Sequence, residues 1–260
     1  MQVSGHEPDT HGDGSATGSP LFAWLREIAI VVVGALIAST LLRVFVAQMF
    51  VIPSSSMENT LLIGDRVAVQ KIVPYQRGDI VVFRDSLGWL GAAPPEETLP
   101  QKILIFVGLA PDESANHLIK RVIGIAGDHV TCCDARGRVT VNGVALNEKD
   151  YLYVDPATGR QADPSSRSFD VVVPAGTVFV MGDHRNASQD SRCHIGERVP
   201  GKPEGYEAFV PVTDIVGTAV AVVYPFDRFH TLSRPATFDN IPAPAAAPAN
   251  PVINGDRVTC

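Results

Sequence analysis

The sequence predicts a mostly β protein carried behind a single N-terminal membrane-spanning helix, and three observations support this. One apolar stretch, Ile28–Leu42, carries no charge, and no other stretch is long enough to cross a bilayer. Short runs rich in β-branched residues recur between Arg66 and Val223, nearly all bounded by Gly, Pro, Asp or Asn. The chain also holds 20 Pro and 22 Gly, the punctuation of a turn-rich β protein. Its 260 residues suffice for one large domain or two small ones.

Residues 1–21 are polar, rich in Gly, Ser, His and Asp, and read as a disordered tail. The fifteen residues Ile28–Leu42 would span only about 22 Å as a helix, against a hydrocarbon core of roughly 30 Å. Apolar flanks at Leu21–Leu25 and Val44–Ile52 make up the length, with Arg26 and Arg43 reaching towards headgroups. The reading is a transmembrane helix over 22–46. A cleaved secretory signal would want a basic start, yet this chain opens with Glu7, Asp9 and Asp13 and no Lys or Arg. A buried core helix is the other alternative. Flanking charge leaves the orientation open.

Past Ser54 the pattern turns to strands. Arg66–Val73 alternates as a half-buried strand does, and Gly78-Asp79 opens Ile80–Arg84. Further short runs lie at Leu118–Ile125, His129–Cys132, Arg138–Val141, Val171–Val173, Thr177–Met181 and Ile215–Val223. Val141-Asn142-Gly143-Val144 carries the Asn-Gly hairpin signal. Asp85–Asn116, with Trp89, Pro94, Pro95 and an apolar Ile103–Leu109, reads as an insertion. Ser233–Cys260 is Pro/Ala-rich and reads as an extended or disordered tail.

Apolar residues make up 45% and charged ones 19%, with a mean hydropathy of +0.13. The net charge of -7 argues against nucleic-acid binding through a basic face. None of the four cysteines, Cys132, Cys133, Cys193 and Cys260, has C-x-x-C spacing. Neighbouring Cys132 and Cys133 can hardly bond to each other without strain. One of them pairing with Cys193, in an oxidising space, and buried free thiols are both open.

Three segments carry possible chemistry. The apolar run ends at Ile52-Pro53 and leads into Ser54-Ser55-Ser56-Met57, which puts hydroxyls beside a membrane surface. A nucleophilic serine needs a base, and the chain has no G-x-S-x-G, S-x-x-K or H-E-x-x-H. His184 and His194 lie in an Asp-containing region, but no spacing supports a Ser-His-Asp triad. Lys120 is the better candidate, inside the apolar run His117–Gly124. To act as a base near neutrality its pKa must fall from about 10.4 by roughly three pH units, about 4 kcal/mol, which apolar burial can supply. Taken alone, a solvated edge-strand lysine is the commoner case. The third segment, Met181–Arg192, packs two Asp, two Arg, two Ser and one Asn behind a β run. It reads either as a solvated turn or as a self-bonded loop with Asp–Arg pairs, presenting a serine at fixed geometry.

Taken together, these segments resemble the bacterial type I signal peptidases, membrane-anchored endopeptidases with a Ser/Lys dyad. The likeness runs in order through Ile52–Leu61, Gly64–Val67, Gly78–Phe83, Ile119–Asp128 and Gly182–Arg192, and covers about residues 25–225. Departures from the commonest pattern are Glu58-Asn59, Ile125-Ala126-Gly127 and Asn186-Ala187, none of which removes a proposed catalytic group.

The resemblance implies Ser56 as nucleophile, Lys120 as general base and Ser188 as the group orienting the lysine amine. The Ser56 N–H and the Ser54 hydroxyl would form the oxyanion hole. Asp183, Arg185, Asp190 and Arg192 would brace the site, and Met57 would pack beneath it. It also implies a peptidase domain over 47–232, with a non-catalytic region inserted at 131–178. The tail 1–21 would be cytoplasmic and the catalytic domain extracytoplasmic, which favours a disulfide from Cys193 to Cys132 or Cys133. Substrates would be exported preproteins cut after small-x-small motifs such as Ala-x-Ala, at the bilayer and near the export machinery. No metal, nucleotide or other cofactor is needed for such a mechanism. A self-cleaving Ser/Lys repressor-type protein fits less well, given the apolar anchor and the absence of a DNA-binding domain. A membrane-anchored β binding domain without catalysis is disfavoured by the presence of all three proposed active groups.

Overall fold

A computed structural model describes residues 20–45, 47–91, 98–100, 116–255 and 260. The expected disorder of the N-terminal tail, and the apolar segment Ile103–Leu109, lie outside the described residues. Helix α1 covers Pro20–Phe45, close to the expected 22–46. Its 26 residues give about 39 Å of length, enough for a hydrocarbon core of roughly 30 Å. The window Ala23–Thr40 has mean hydropathy 1.7 and none of it is buried against protein. A soluble core helix would hide one face, so the buried-helix alternative fails.

The sequence reading extended the apolar run through Ile52, but after Phe45 the structure changes period. Strand β1, Ala47–Val51, pairs antiparallel with β2, Arg66–Gln70, in the register Phe50↔Val67. Phe50 and Ile52 are buried while Met49 is exposed. That alternation of period two suits a strand and would scatter on a helix. β1 is the outer edge of a sheet ordered β1-β2-β11-β3-β4-β9-β10. Its other members are β3 (Ile80–Arg84), β4 (His117–Ile125), β9 (Thr177–Met181), β10 (Val210–Pro211) and β11 (Ile215–Tyr224), with β12 (His230–Thr231) on β11.

A second sheet runs β13-β8-β5-β6-β7. It comprises β5 (His129–Cys132), β6 (Val139–Val141), β7 (Val144–Ala145), β8 (Phe169–Val172) and β13 (Val252–Ile253). The Asn-Gly signal holds: Asn142 (φ 50°) and Gly143 (φ 80°) turn the chain between β6 and β7, with Val141 opposite Val144. Both residues in left-handed backbone make the two-residue hairpin turn that matches strand twist. Val130, Val171, Phe169 and Leu146 of this region pack with Phe179, Met181 and Phe209 in one apolar cluster. A second cluster, built on Phe50, Ile52, Met57, Leu61 and Val67, lies where β1 leads into the turn Ser55–Met57.

The tail from Ser233 is extended and firmly packed. Phe238 is buried, Ala245 N donates to Gly127 O at 3.2 Å, and Ala175 N donates to Pro248 O at 2.8 Å. Its residues Val252 and Ile253 pair with Val172 and Val171. Cys260 and Cys193, Cα to Cα 4.6 Å, form a disulfide. The expected pairing of Cys193 with Cys132 or Cys133 is therefore corrected: Cys132 and Cys133 are bonded to each other. Cys132 belongs to the second sheet, opposite Phe169 and Val139, whereas Cys193 sits in the 3-10 turn Ser191–His194.

Candidate active site

The site forms where two strands and two turns converge. β1 and the Ile52-Pro53 link deliver a 3-10 turn at Ser55–Met57. Met57 is fully buried beneath it, as expected, and anchors the turn in the cluster around Leu61 and Val67. β4 runs between β3 and β9, so Lys120 lies on an interior strand opposite Val81. It is 2% exposed, which removes the reading of a solvated edge charge.

Lys120 Nζ donates to Ser56 Oγ at 2.6 Å and to the Ile119 carbonyl at 3.1 Å. Ser54 Oγ stands 3.3 Å from Ser56 Oγ. Burial pushes the Lys120 ammonium down to about 8; the carboxylates of Asp190 and Asp183 pull it up and the Arg192 guanidinium pushes it down. Desolvation disfavours the charged form more than the two carboxylates favour it. A free amine close to a serine hydroxyl can take its proton and make it a nucleophile.

Backbone contacts hold Ser56. His184 N donates to the Ser56 carbonyl at 3.0 Å, so the segment after β9 clamps the Ser55–Met57 turn. Gly182 allows this approach: a Cβ there would overlap both Ser188 Oγ and the Ser56 carbonyl oxygen. Its N–H donates to Asp190 Oδ2 at 3.0 Å and its carbonyl accepts from Arg185 Nε at 2.9 Å.

The four bracing residues are all buried, but their pairing differs from a loop closed on itself. Asp190 and Arg192 do pair within the loop, Nε–Oδ1 and Nη2–Oδ2 both at 2.8 Å. Burial pushes the Asp190 carboxyl up, and the Arg192 charge and hydrogen bond outweigh it, so Asp190 stays below the usual carboxylate range. Asp183 instead receives a two-pronged bond from Arg121, at 2.8 and 2.6 Å, and a 2.6 Å bond from Thr60 Oγ1. Arg185 reaches Glu148 at 2.5 Å and the Pro164 carbonyl. Sequence reasoning missed Arg121, Thr60 and Glu148. Arg121 carried a signal, as a second charge in an apolar run beside Lys120; Glu148 and Thr60 carried none.

Ser188 lies in the same cleft but does not reach the lysine. Its buried Oγ meets no hydrogen-bond partner of good geometry among the described residues, and its hydroxyl helps keep the neighbouring Asp190 ionised. The side chains of His184 and His194 engage other partners. His184 stacks on Tyr153 with ring centres 3.7 Å apart and its Nδ1 meets Glu58 at 3.0 Å; His194 stacks on Trp89 at 4.5 Å. Ser54, Ser56, Lys120, Ser188, Leu90 and Leu118 line a cleft of about 510 Å³, together with Cys260 and part of the catalytic loop.

Known proteins match this chain over most of its length. The family described as "Signal peptidase, peptidase S26" matches residues 24–224. Signal peptidase I of Mycobacterium tuberculosis (strain ATCC 25618 / H37Rv) is 36% identical over 249 residues, covering 86% of this chain and 82% of that protein. Signal peptidase I of Leptolyngbya laminosa is 34% identical over 225 residues, covering 85% of this chain and 88% of that one. A signal peptidase I crystal structure from Enterococcus faecalis V583 aligns at TM-score 0.35 and 24% identity, over 57% of this chain and 98% of that one. On the match across residues 24–224 and this level of identity, the chain belongs to the signal peptidase family of peptidases, S26, hydrolases that act on peptide bonds.

Proposed function

We propose that this protein is a membrane-anchored serine endopeptidase that removes signal peptides from exported preproteins, with Ser56 as nucleophile and Lys120 as base. The single observation that carries the reading is the 2.6 Å contact between Lys120 Nζ and Ser56 Oγ in a buried, low-pKa setting. Neutral Lys120 takes the Ser56 proton as Oγ attacks the scissile carbonyl. The resulting oxyanion is met by the Ser54 hydroxyl and the Ser56 N–H, which act where charge develops. The lysine ammonium then protonates the departing amine, and the free amine activates the water that hydrolyses the acyl-enzyme. Ser188, whose buried hydroxyl borders the same cleft, turns to hold the amine during the cycle.

The substrate enters extended. β1 is an edge strand leading straight to Ser54–Ser56, and an extended peptide can add to such an edge through main-chain bonds. Cleavage after small-x-small motifs such as Ala-x-Ala is the specificity we propose, on the family membership of the chain. Helix α1 anchors the domain in the bilayer with residues 1–21 cytoplasmic and the domain on the other side, near the export machinery, so the nucleophile waits where a signal peptide leaves the membrane.

The test is incubation of detergent-solubilised protein with a preprotein, comparing wild type with Ser56→Ala and Lys120→Ala. Both variants should lose cleavage. Cleavage at the wild-type rate by Lys120→Ala would sink the dyad, and survival in Ser56→Ala would move the nucleophile to Ser54 or Ser55. Loss in His184→Ala or His194→Ala, with Lys120→Ala active, would mark a histidine mechanism.

A further inference from the structure

We infer that Glu58, His184 and Tyr153 form a positioning unit for Ser56: their side-chain contacts fix the turn Ser55–Met57 against the segment after β9 and so set the aim of the Ser56 hydroxyl at Lys120. The inference rests on the peptidase reading of Ser56 and Lys120. The three side chains act through Ser56 and take no part in the proton transfers.

The contacts close a ring. His184 N donates to the Ser56 carbonyl at 3.0 Å, and its imidazole Nδ1 meets Glu58 Oε2 at 3.0 Å. Glu58 follows the turn directly, and its own N–H donates to the Ser55 carbonyl at 3.0 Å. His184 therefore grips the turn twice, by its backbone at Ser56 and by its side chain at Glu58. Two attachments fix an orientation that one bond leaves free to pivot. A third comes from Thr60 Oγ1, which donates to Asp183 Oδ2 at 2.6 Å. Asp183 is in turn held by Arg121, the neighbour of Lys120 on β4. Ser56 and Lys120, 64 residues apart in the chain, are thereby tied to one frame.

Tyr153 supplies the platform. It lies between β7 and β8, within the segment 131–178 that the resemblance sets apart as non-catalytic. Its ring stacks on the His184 imidazole with centres 3.7 Å apart and planes 18° apart. Tyr153 N donates to the Asp183 carbonyl at 3.2 Å, so the platform is registered on the same segment as the imidazole. An imidazole held in one plane keeps Nδ1 directed at Glu58. The Glu58 and His184 side chains are 27% and 15% exposed, and a pair so open to water adds little to global stability. Its effect falls on geometry instead, where a displacement of about 1 Å at a reacting group can cost about 100-fold in rate.

The experiment measures kcat, KM and Tm of the full chain in detergent with a signal-peptide substrate, for Glu58→Ala, His184→Ala, the double variant and Glu58→Gln. Replacing His184 leaves its backbone N–H in place, so the side-chain contact alone is removed. Each single alanine variant should lower kcat about 5- to 30-fold, with KM within about a factor of two and Tm within about 2 °C. The double variant should fall within about twofold of the slower single one, because residues that act as a unit do not add. Glu58→Gln, whose amide oxygen still accepts from Nδ1, should keep at least about half of the wild-type kcat. The pH midpoint of kcat/KM, set by Lys120 at about 8, should stay in place in every variant. Single variants within about twofold of wild type, losses that multiply in the double variant, or a Glu58→Gln no faster than Glu58→Ala would each overturn the inference. So would a kcat loss matched by a fall in Tm, which would make the contacts structural only. A wild type that cleaves nothing, or a Lys120→Ala as fast as wild type, would instead overturn the peptidase reading itself.

Discussion

Titrating activity with pH tests Lys120 most directly, because kcat/KM reports the ionisations of the free enzyme. The lysine is pushed down to about 8, chiefly by burial. At pH 7 a group of that pKa is about 9% neutral, whereas an ordinary lysine near 10.4 is about 0.04% neutral, so burial raises the supply of free base roughly 200-fold. In the proposed mechanism the neutral amine is the active form, so kcat/KM should climb about tenfold between pH 7 and 9 and level off above that. The assay is initial-rate cleavage of a signal-peptide substrate in overlapping buffers, with Tm followed in parallel to exclude unfolding. A flat profile would refute the reasoning, as would a profile whose inflection disappears in His184→Ala. The same shift has a stability consequence. The folded-state pKa lies below the unfolded one, so the unfolded chain holds more protons between about 8 and 10.4 and stability rises with pH across that window. Below it the buried ammonium costs roughly 3 kcal/mol. Lys120→Met should therefore raise Tm at pH 7 while abolishing cleavage.

Ser54→Ala should slow kcat by about 10²- to 10³-fold, the usual loss of one oxyanion donor, with KM little changed. An unchanged kcat would remove Ser54 from the site. Gly182→Ala should inactivate the enzyme without unfolding it, because the added methyl drives into Ser188 Oγ and the Ser56 carbonyl; near-normal turnover would show that the catalytic turn can shift. Asp183→Asn leaves the Arg121 guanidinium without its buried charge partner, at a cost of about 3–5 kcal/mol that chemical denaturation would read. A change below about 1 kcal/mol would place that pair outside the framework of the site. Deleting residues 1–45 should release the protein from lipid vesicles while cleavage of a detergent-solubilised substrate persists; continued vesicle binding would show that the domain contributes its own membrane contacts.

Local sequence determined most of the elements. Charge-free Ile28–Leu42 could satisfy its backbone only as a helix if placed in lipid, and the structure gives a helix at Pro20–Phe45 with no buried face. The alternating runs became strands, and Asn142-Gly143 turned where left-handed backbone is tolerated. Ser56 and Lys120 were legible only as a resemblance of motifs in order, since a serine cluster and a lone strand lysine are each common.

Tertiary structure decided the rest, because it depends on contacts between residues far apart in the chain. Whether Lys120 was a surface charge or a buried base turned on β4 being flanked by β3 and β9. The partners of Asp183 and Arg185 came from Arg121 and Glu148, which no spacing within the loop could indicate. The Pro/Ala-rich tail looked free because it has no periodic pattern. It is held by single backbone bonds and one disulfide to distant segments, and such contacts leave no mark on local composition.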